Sequence, residues 1–174
     1  HCMNYGTAVF GGLRAYWNDD EKQLFVFRPA DHFRRFVQSA SLLLMELPIA
    51  GDGLLKGLID LIRTEEHKED LYIRPLAFYS DEIIGVRLHD LNAEVSIVVM
   101  PFGAYNKNEE NMHVTVSSWR RIDDNTIPAR GKIAGAYVNS AFVKTDAVRA
   151  GFDEAIVLNA DGHISEGSAA NFVM

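Results

Sequence analysis

Lys132 is the residue whose surroundings most favour covalent chemistry. It lies among small and apolar residues in segment 131–137, and no carboxylate occurs within five residues on either side. Such surroundings favour the neutral amine, which is the form that attacks a carbonyl carbon. A lysine in a Gly-rich loop also commonly extends its ammonium into solvent. The segment alone therefore leaves a catalytic and a surface role open.

The remaining reactive groups suggest which chemistry such an amine could serve. The sequence has no GxGxxG, no P-loop, no Cys/His spacing typical of a metal site and no Gly-x-Ser-x-Gly elbow. A lysine that forms a Schiff base with pyridoxal 5'-phosphate needs a phosphate site, a donor to the ring hydroxyl and an acid at the ring nitrogen. Glu166 follows a strand-like run and could be that acid, or simply a turn carboxylate.

Composition limits the class of protein. The chain has 174 residues, 48% apolar and 24% charged, with a net charge of −7, which is typical of a globular protein and argues against nucleic acid as a partner. No apolar run is long enough to predict a membrane span. Cys2 is the single cysteine, so we expect no internal disulfide and a cytoplasmic location. The six histidines are scattered and form no cluster with metal-ligand spacing, so we expect no metal site.

Both ends of the sequence suggest a longer protein. There is no initiator methionine, and the first residues enter an ordered-looking motif at once. Residues 171–174 have the composition of a strand in progress. We therefore expect a fragment, with part of any active site outside it.

Hydrophobic periodicity predicts an α+β fold in two domains, because runs of strands and of helices alternate irregularly. The polar, Gly-containing segment 103–111 is the expected interdomain loop between domains at residues 1–102 and 112–174. Strands are predicted at residues 7–16, 23–28, 71–79, 94–100, 113–119, 155–158 and 163–165. Helices are predicted from an Asp31 N-cap to Pro48, and over residues 53–68 and 134–150.

Six motifs, in consistent order along the chain, resemble one known family. They lie at residues 5–16, 31–36, 72–76, 101–105, 132–140 and 151–171. On these motifs the chain resembles the branched-chain amino acid aminotransferases, which belong to the class IV aminotransferases of pyridoxal-phosphate fold type IV. The resemblance implies a small N-terminal α/β domain and the first part of a larger, β-rich C-terminal domain.

The resemblance also implies the cofactor contacts. Lys132 would form the Schiff base and carry the proton between substrate Cα and cofactor, and Glu166 would pair with the pyridine nitrogen. Arg35 would bind the phosphate, with its neighbour Arg34 at the surface. Tyr137 would donate to the ring hydroxyl. The family's further phosphate and α-carboxylate contacts would lie beyond Met174.

Substrate contacts implied by the resemblance come mainly from the first domain. Arg74 would bind the side-chain carboxylate of glutamate at the edge of an otherwise apolar pocket. Ile84 and Val86 would enter from a neighbouring subunit, which implies a homodimer or a higher homo-oligomer. The residues expected to wall the pocket are Tyr5, Phe10, Tyr72 and Tyr105.

The implied function is transamination of leucine, isoleucine and valine with 2-oxoglutarate, in branched-chain amino acid biosynthesis. Residues 72–75 favour this activity over a D-amino acid transaminase, an (R)-amine transaminase or an aminodeoxychorismate lyase on the same fold. A non-catalytic homologue is the third alternative. It is suggested by three departures from the family pattern, because Gly11, Ala169 and Ala170 replace a glutamate, a glycine and a glutamate, respectively.

Overall fold

The computed structural model describes residues 1–49, 51–103 and 111–174. Helices and two separate sheets are combined, which confirms the expected α+β class. The chain divides into two compact units, His1–Gly103 with Gly131–Ala134, and Ala104–Arg130 with Gly135–Met174. The domain roles inferred from the sequence stay predictions. Most of the predicted linker, residues 104–110, lies outside the described residues.

The first unit is built on a five-stranded antiparallel sheet. Its longest strands, β4 and β5, pair along their whole length, while β1 and β2 share the other edge of β4 and β3 pairs with β2. The strands are β1 (Ala8–Phe10), β2 (Leu13–Asn18), β3 (Gln23–Val26), β4 (Leu71–Tyr79) and β5 (Ala93–Pro101).

Strand β4 organises this unit because its side chains alternate strictly between two faces. One face carries Leu71, Ile73, Pro75, Ala77 and Tyr79, all buried. The opposite face is half-buried and carries Tyr72 and Arg74 beside the apolar Leu76 and Phe78. The strand therefore separates residues that make the core from residues that can contact a ligand.

The strand predicted over residues 7–16 is wrong as a single element, since the chain breaks at Gly11 and Gly12 between β1 and β2. A Cβ on Gly11 would lie 2.6 Å from Cγ of Pro75, and one on Gly12 would lie 2.6 Å from Oη of Tyr72. Both positions pass so close to β4 that only glycine fits without a shift.

The helices of the first unit are α1 (Cys2–Tyr5), α2 (Pro29–Leu42) and α3 (Gly51–Glu65). The expected Asp31 N-cap is wrong: Arg28 is the N-cap residue, in the left-handed region at φ 47°, and Pro29 begins the helix. Asp31 lies in the first turn, where its charge suits the helix dipole. Helix α2 also ends at Leu42, well before Pro48.

The second unit contains a three-stranded sheet in the order β6-β7-β8, where β6 is Val114–Arg120, β7 is Glu154–Leu158 and β8 is Ile164–Gly167. Strands β6 and β7 are parallel, with α4 (Tyr137–Arg149) in the connection between them, and β8 returns antiparallel. A short 3₁₀ turn, Ala134–Ala136, precedes α4 and replaces the first turn of the predicted helix. Val143 and Ala147 of α4 pack against Ala155 and Val157 of β7.

Across the described part of the chain, no helix has the length and apolar character needed to cross a membrane. The same residues contain no group of three or more His, Cys, Asp or Glu side chains placed to hold a metal ion.

Candidate active site

The backbone of Lys132 belongs to the first unit. Val9 and Ile133 form an isolated antiparallel bridge, and the Phe10 N–H donates to the Lys132 carbonyl over 3.1 Å. On the other side, the Lys132 N–H donates to Oγ of Ser39 over 3.1 Å. The lysine is thus placed by main-chain hydrogen bonds to β1 and a hydroxyl on α2.

Ser39 was missed by the sequence reasoning. Its side chain is only 1% exposed, and its hydroxyl donates to the Arg35 carbonyl over 2.9 Å while accepting from Lys132. Helical spacing places Ser39 one turn after Arg35. Its bond to Lys132, however, joins residues 93 positions apart, and no local pattern indicates such a contact.

Four predicted site residues form one cluster, in which Arg74 and Lys132 lie beside the ring of Phe10 and Tyr72 contacts Arg74. The Arg74 guanidinium carbon lies 4.6 Å from the ring centroid, and Nζ of Lys132 lies 5.0 Å from it. Both distances are within the range of cation–π attraction. Arg74 also donates to the Tyr72 hydroxyl, over 2.6 Å from Nη2 and 3.2 Å from Nε. The cluster combines one amine, one fixed guanidinium and two aromatic faces.

Tyr5 contacts the segment that carries Ile84 and Val86. The Gly85 N–H donates to the Tyr5 hydroxyl over 3.1 Å, and Nε2 of buried His1 donates to the Gly85 carbonyl over 2.9 Å. Ile84 and Val86 on either side are each 89% exposed. The segment is thus tied at Gly85 while its two flanking apolar side chains project outward. Tyr105, the remaining predicted pocket residue, lies outside the described residues.

Arg35 and Arg34 differ in their surroundings on α2. Nη1 of Arg34 forms an ion pair with Asp31 at 2.7 Å, whereas Nη2 of exposed Arg35 lies 3.4 Å from Nδ1 of His32. Burial, reinforced by the Arg35 charge, holds the pKa of His32 below its ordinary value. In the described ranges no carboxylate forms an ion pair with Arg35. The Arg35 guanidinium is therefore better placed to bind an external anion than the Arg34 guanidinium, which is paired with Asp31.

Glu166 lies on β8 and forms an ion pair in the second unit. Its Oε1 is 2.8 Å from Nε of Arg121, and the two side chains are 29% and 16% exposed. The pair lines a surface depression of about 520 Å³. Sequence reasoning missed Arg121, because the alternating pattern of the preceding strand does not indicate its partner. Three other carboxylates border the depression, those of Asp123, Asp124 and Asp161.

The chain that follows Glu166 is held by Glu154. Oε1 of Glu154 accepts from the N–H groups of Ala155 at 2.8 Å and Ser168 at 3.1 Å, and Oε2 pairs with Lys144 at 3.1 Å. Burial raises the pKa of Glu154, but hydrogen bonds from Ser168, Ala155 and Lys144 together outweigh it and hold that pKa below its ordinary value.

The two alanine departures lie in a closed turn after β8. The Gly167 N–H donates to the Ala170 carbonyl over 2.7 Å. Ala169 and Ala170 are therefore compatible with an ordered turn directly beyond Glu166. Tyr137, the other predicted cofactor contact in this unit, is the half-buried first residue of α4.

The sequence model of the amino-transferase class IV family matches residues 8–174. The chain belongs to this family, which confirms the resemblance noted from the motifs. A probable branched-chain-amino-acid aminotransferase of Aquifex aeolicus is 45% identical over 97% of this chain and 54% of its own length. The branched-chain-amino-acid aminotransferase of Escherichia coli K12 is 37% identical over 98% of this chain and 56% of its own length.

Solved structures agree with the fold. The branched-chain aminotransferase of Thermoproteus uzoniensis, crystallised with norvaline, superposes with a TM-score of 0.91 at 41% identity. The superposition covers 96% of this chain and 55% of the Thermoproteus uzoniensis chain. The enzyme of Thermobaculum terrenum, in its PLP-form, gives a TM-score of 0.86 at 36% identity, over 94% of this chain and 53% of its own. The chain thus spans about half the length of the relatives it matches.

Proposed function

We propose that the complete protein is a pyridoxal-phosphate-dependent transaminase of branched-chain L-amino acids, with 2-oxoglutarate as amino acceptor. The observation that carries this proposal is the cluster around Phe10, which places an amine and a tethered guanidinium on one aromatic ring. The relative from Escherichia coli is named a branched-chain-amino-acid aminotransferase and that from Aquifex aeolicus a probable one, which supports the proposal.

The side chains fit the functional groups of pyridoxal phosphate. Lys132 would hold the cofactor covalently through Nζ, Arg35 would bind the phosphate, Tyr137 the ring hydroxyl and Glu166 the ring nitrogen. A placed amine, an arginine that pairs with no carboxylate in the described ranges, and a partly buried carboxylate beside a depression are the observations that support this fit. The bound cofactor supplies an electron sink for the electron pair at the substrate Cα.

Lys132 is the residue that we expect to move the proton. Its Nζ would accept a proton from the substrate Cα and return it elsewhere along the conjugated system, acting as general base and then as general acid. Its main chain is fixed by Ser39 and Phe10, so only the four-carbon side chain has to adjust. A fixed anchor of this kind lowers the entropic cost of each transfer.

Arg74 explains how one pocket could accept two kinds of side chain. The faces of Phe10 and Tyr72 would pack against the aliphatic group of leucine, isoleucine or valine. The two bonds to Tyr72 engage Nε and Nη2 of Arg74, and its Nη1 can bind the side-chain carboxylate of glutamate. Stacking on Phe10 holds the guanidinium at the edge of the apolar surface.

We also propose that the protein acts as a homodimer or higher homo-oligomer in the cytoplasm. Ile84 and Val86 are 89% exposed on a segment anchored at Gly85. Exposed apolar side chains on a fixed backbone are typical of an interface. We expect these two side chains to complete the substrate pocket of a neighbouring subunit, whereas Tyr5 and Tyr105 would wall the pocket of their own subunit. Sedimentation of the complete protein as a monomer at working concentration would contradict this.

Purified complete protein, supplied with pyridoxal phosphate and 2-oxoglutarate, should convert L-leucine, L-isoleucine and L-valine to their 2-oxo acids and form L-glutamate. The absorption spectrum of the cofactor should change when L-leucine is added. Turnover of D-alanine without turnover of L-leucine would favour the D-amino acid alternative. A colourless protein that binds no added cofactor would favour the non-catalytic homologue.

A further inference from the structure

Arg121 has no role in the cofactor or substrate contacts proposed above, yet it forms the ion pair that holds Glu166. Building on the proposed function, we propose that Arg121 is a positioning residue for the carboxylate at the cofactor ring nitrogen. Its Nε lies 2.8 Å from Oε1 of Glu166, and on this proposal Oε2 would face the bound ring. Arg121 would thus act on the reaction through Glu166 without touching the substrate.

The backbone of both partners is fixed by neighbouring residues of β7. The Arg121 N–H donates to the Leu158 carbonyl over 2.9 Å, directly after the end of β6. Glu166 is paired with Val157 in the antiparallel register of β7 and β8. Because the central strand holds both main chains, the ion pair has only side-chain torsions left to fix.

The surroundings of the Arg121–Glu166 ion pair give a reason for Arg121 to restrain the side-chain torsions of Glu166. A glutamate side chain loses considerable rotamer freedom when it is held in one direction. The depression that Glu166 lines is bordered by Asp123, Asp124 and Asp161. Without the Arg121 charge, repulsion from these carboxylates would favour rotamers that turn Glu166 towards open solvent.

The ion pair is better suited to this task than other pairs around the same depression. Arg121 is 16% exposed, whereas Arg130, which pairs with Asp124, is 62% exposed. Partly buried, charge-assisted hydrogen bonds are less screened and hold their geometry better than exposed pairs. Arg130 therefore serves as a matched control, since it is an arginine paired with a carboxylate near the same depression.

The test uses the complete protein loaded with pyridoxal phosphate. We expect Arg121→Met to lower kcat about tenfold, the effect of losing one charge-assisted hydrogen bond, with little change in KM. It should also shift the pH midpoint of the bound cofactor's absorption and weaken cofactor binding. Arg130→Met should alter none of these. An Arg121→Met protein with the wild-type kcat and wild-type absorption midpoint would overturn the proposal.

A double-mutant cycle separates positioning from general stabilisation. If Arg121 acts through Glu166, adding Arg121→Met to Glu166→Gln should cause no further loss of kcat. Independent, multiplying losses would show that Arg121 acts elsewhere. Arg121→Lys keeps the charge without the planar fork and should recover part of the activity and of the absorption midpoint. If Arg121→Met does not fold, the same cycle is run with Arg121→Lys, and an unchanged midpoint there would reject the role.

The two proposals fail in different ways. Wild-type protein that neither binds pyridoxal phosphate nor transaminates L-leucine contradicts the proposed function, and the role of Arg121 falls with it. Active wild-type protein whose Arg121 variants behave like Arg130→Met contradicts only the positioning role.

Discussion

Lys132 and Glu166 are placed by different means. The main chain of Lys132 is hydrogen-bonded to β1 and to Ser39, so its Cα is fixed whatever side chain it carries. Glu166 also lies in a sheet, but within the described residues its carboxylate forms an ion pair with Arg121, which on our proposal sets its direction. A reactive group can therefore be positioned by its main chain or by one side-chain partner, and these two kinds of positioning respond differently to substitution.

Removing the Lys132 side chain should produce the largest effect. We expect Lys132→Ala to reduce transamination by more than about 10²-fold, because the proposed proton carrier is lost. The backbone hydrogen bonds remain, so the circular dichroism spectrum and melting temperature should stay close to those of the wild type. Lys56→Ala, at an exposed position on α3, provides the control. Near-normal turnover in Lys132→Ala would refute the catalytic role.

Ser39→Ala should have the next largest effect, since it attacks the backbone anchor itself. Loss of the hydroxyl leaves the Lys132 N–H without its acceptor in a buried place, which should cost about 1–3 kcal/mol of unfolding free energy. Displacement of Lys132 should lower kcat as well.

Ser41→Ala is the matched control for this change. Ser41 lies on the same helix, is exposed, and its hydroxyl donates to the Val37 carbonyl of that helix. Chemical denaturation and steady-state kinetics measure both variants. Equal stability and kcat of Ser39→Ala and wild type would show that main-chain pairing with β1 alone fixes Lys132.

The smallest effect should come from pH acting on Glu154, which holds the turn after Glu166. Its folded-state pKa is lowered, so the ionised form adds stability above the ordinary value of 4.5. That contribution is lost as pH falls below this value and through the folded pKa. Glu154→Gln should therefore be less stable than wild type at pH 7, with the difference shrinking as the pH falls below 4.5. A difference independent of pH would mean that the Glu154 charge does not contribute.

Local patterns predicted some elements well. Strand β4 was predicted with its observed limits, because nine residues rich in β-branched and aromatic types precede a polar segment. The break at Gly11 and Gly12 was missed, since the need for glycine there arises from Pro75 and Tyr72 on another strand. Asp31 is a residue type that commonly occupies the N-cap, but the observed N-cap is Arg28, three residues earlier, with a left-handed backbone.

The residues of the candidate site likewise divide into those that the sequence predicted and those that it did not. Residue types and motif order pointed to Phe10, Tyr72, Arg74 and Lys132, and the structure brings these side chains together. The partners that hold the reactive groups were not predictable. Ser39 lies 93 positions from Lys132 in the sequence, and Arg121 reaches Glu166 through a shared neighbouring strand. Contacts of this kind depend on the tertiary fold and leave no local periodicity.

The return of Gly131–Ala134 to the first unit has a consequence for protein engineering. No single cut in the sequence separates the two units, because residues of the second unit precede and follow this segment in the chain. A recombinant piece ending at Gly103 would leave the Val9 edge and the Ser39 hydroxyl without the partners they have here. A short synthetic peptide spanning residues 129–136 could then occupy that edge in trans, as in fragment complementation.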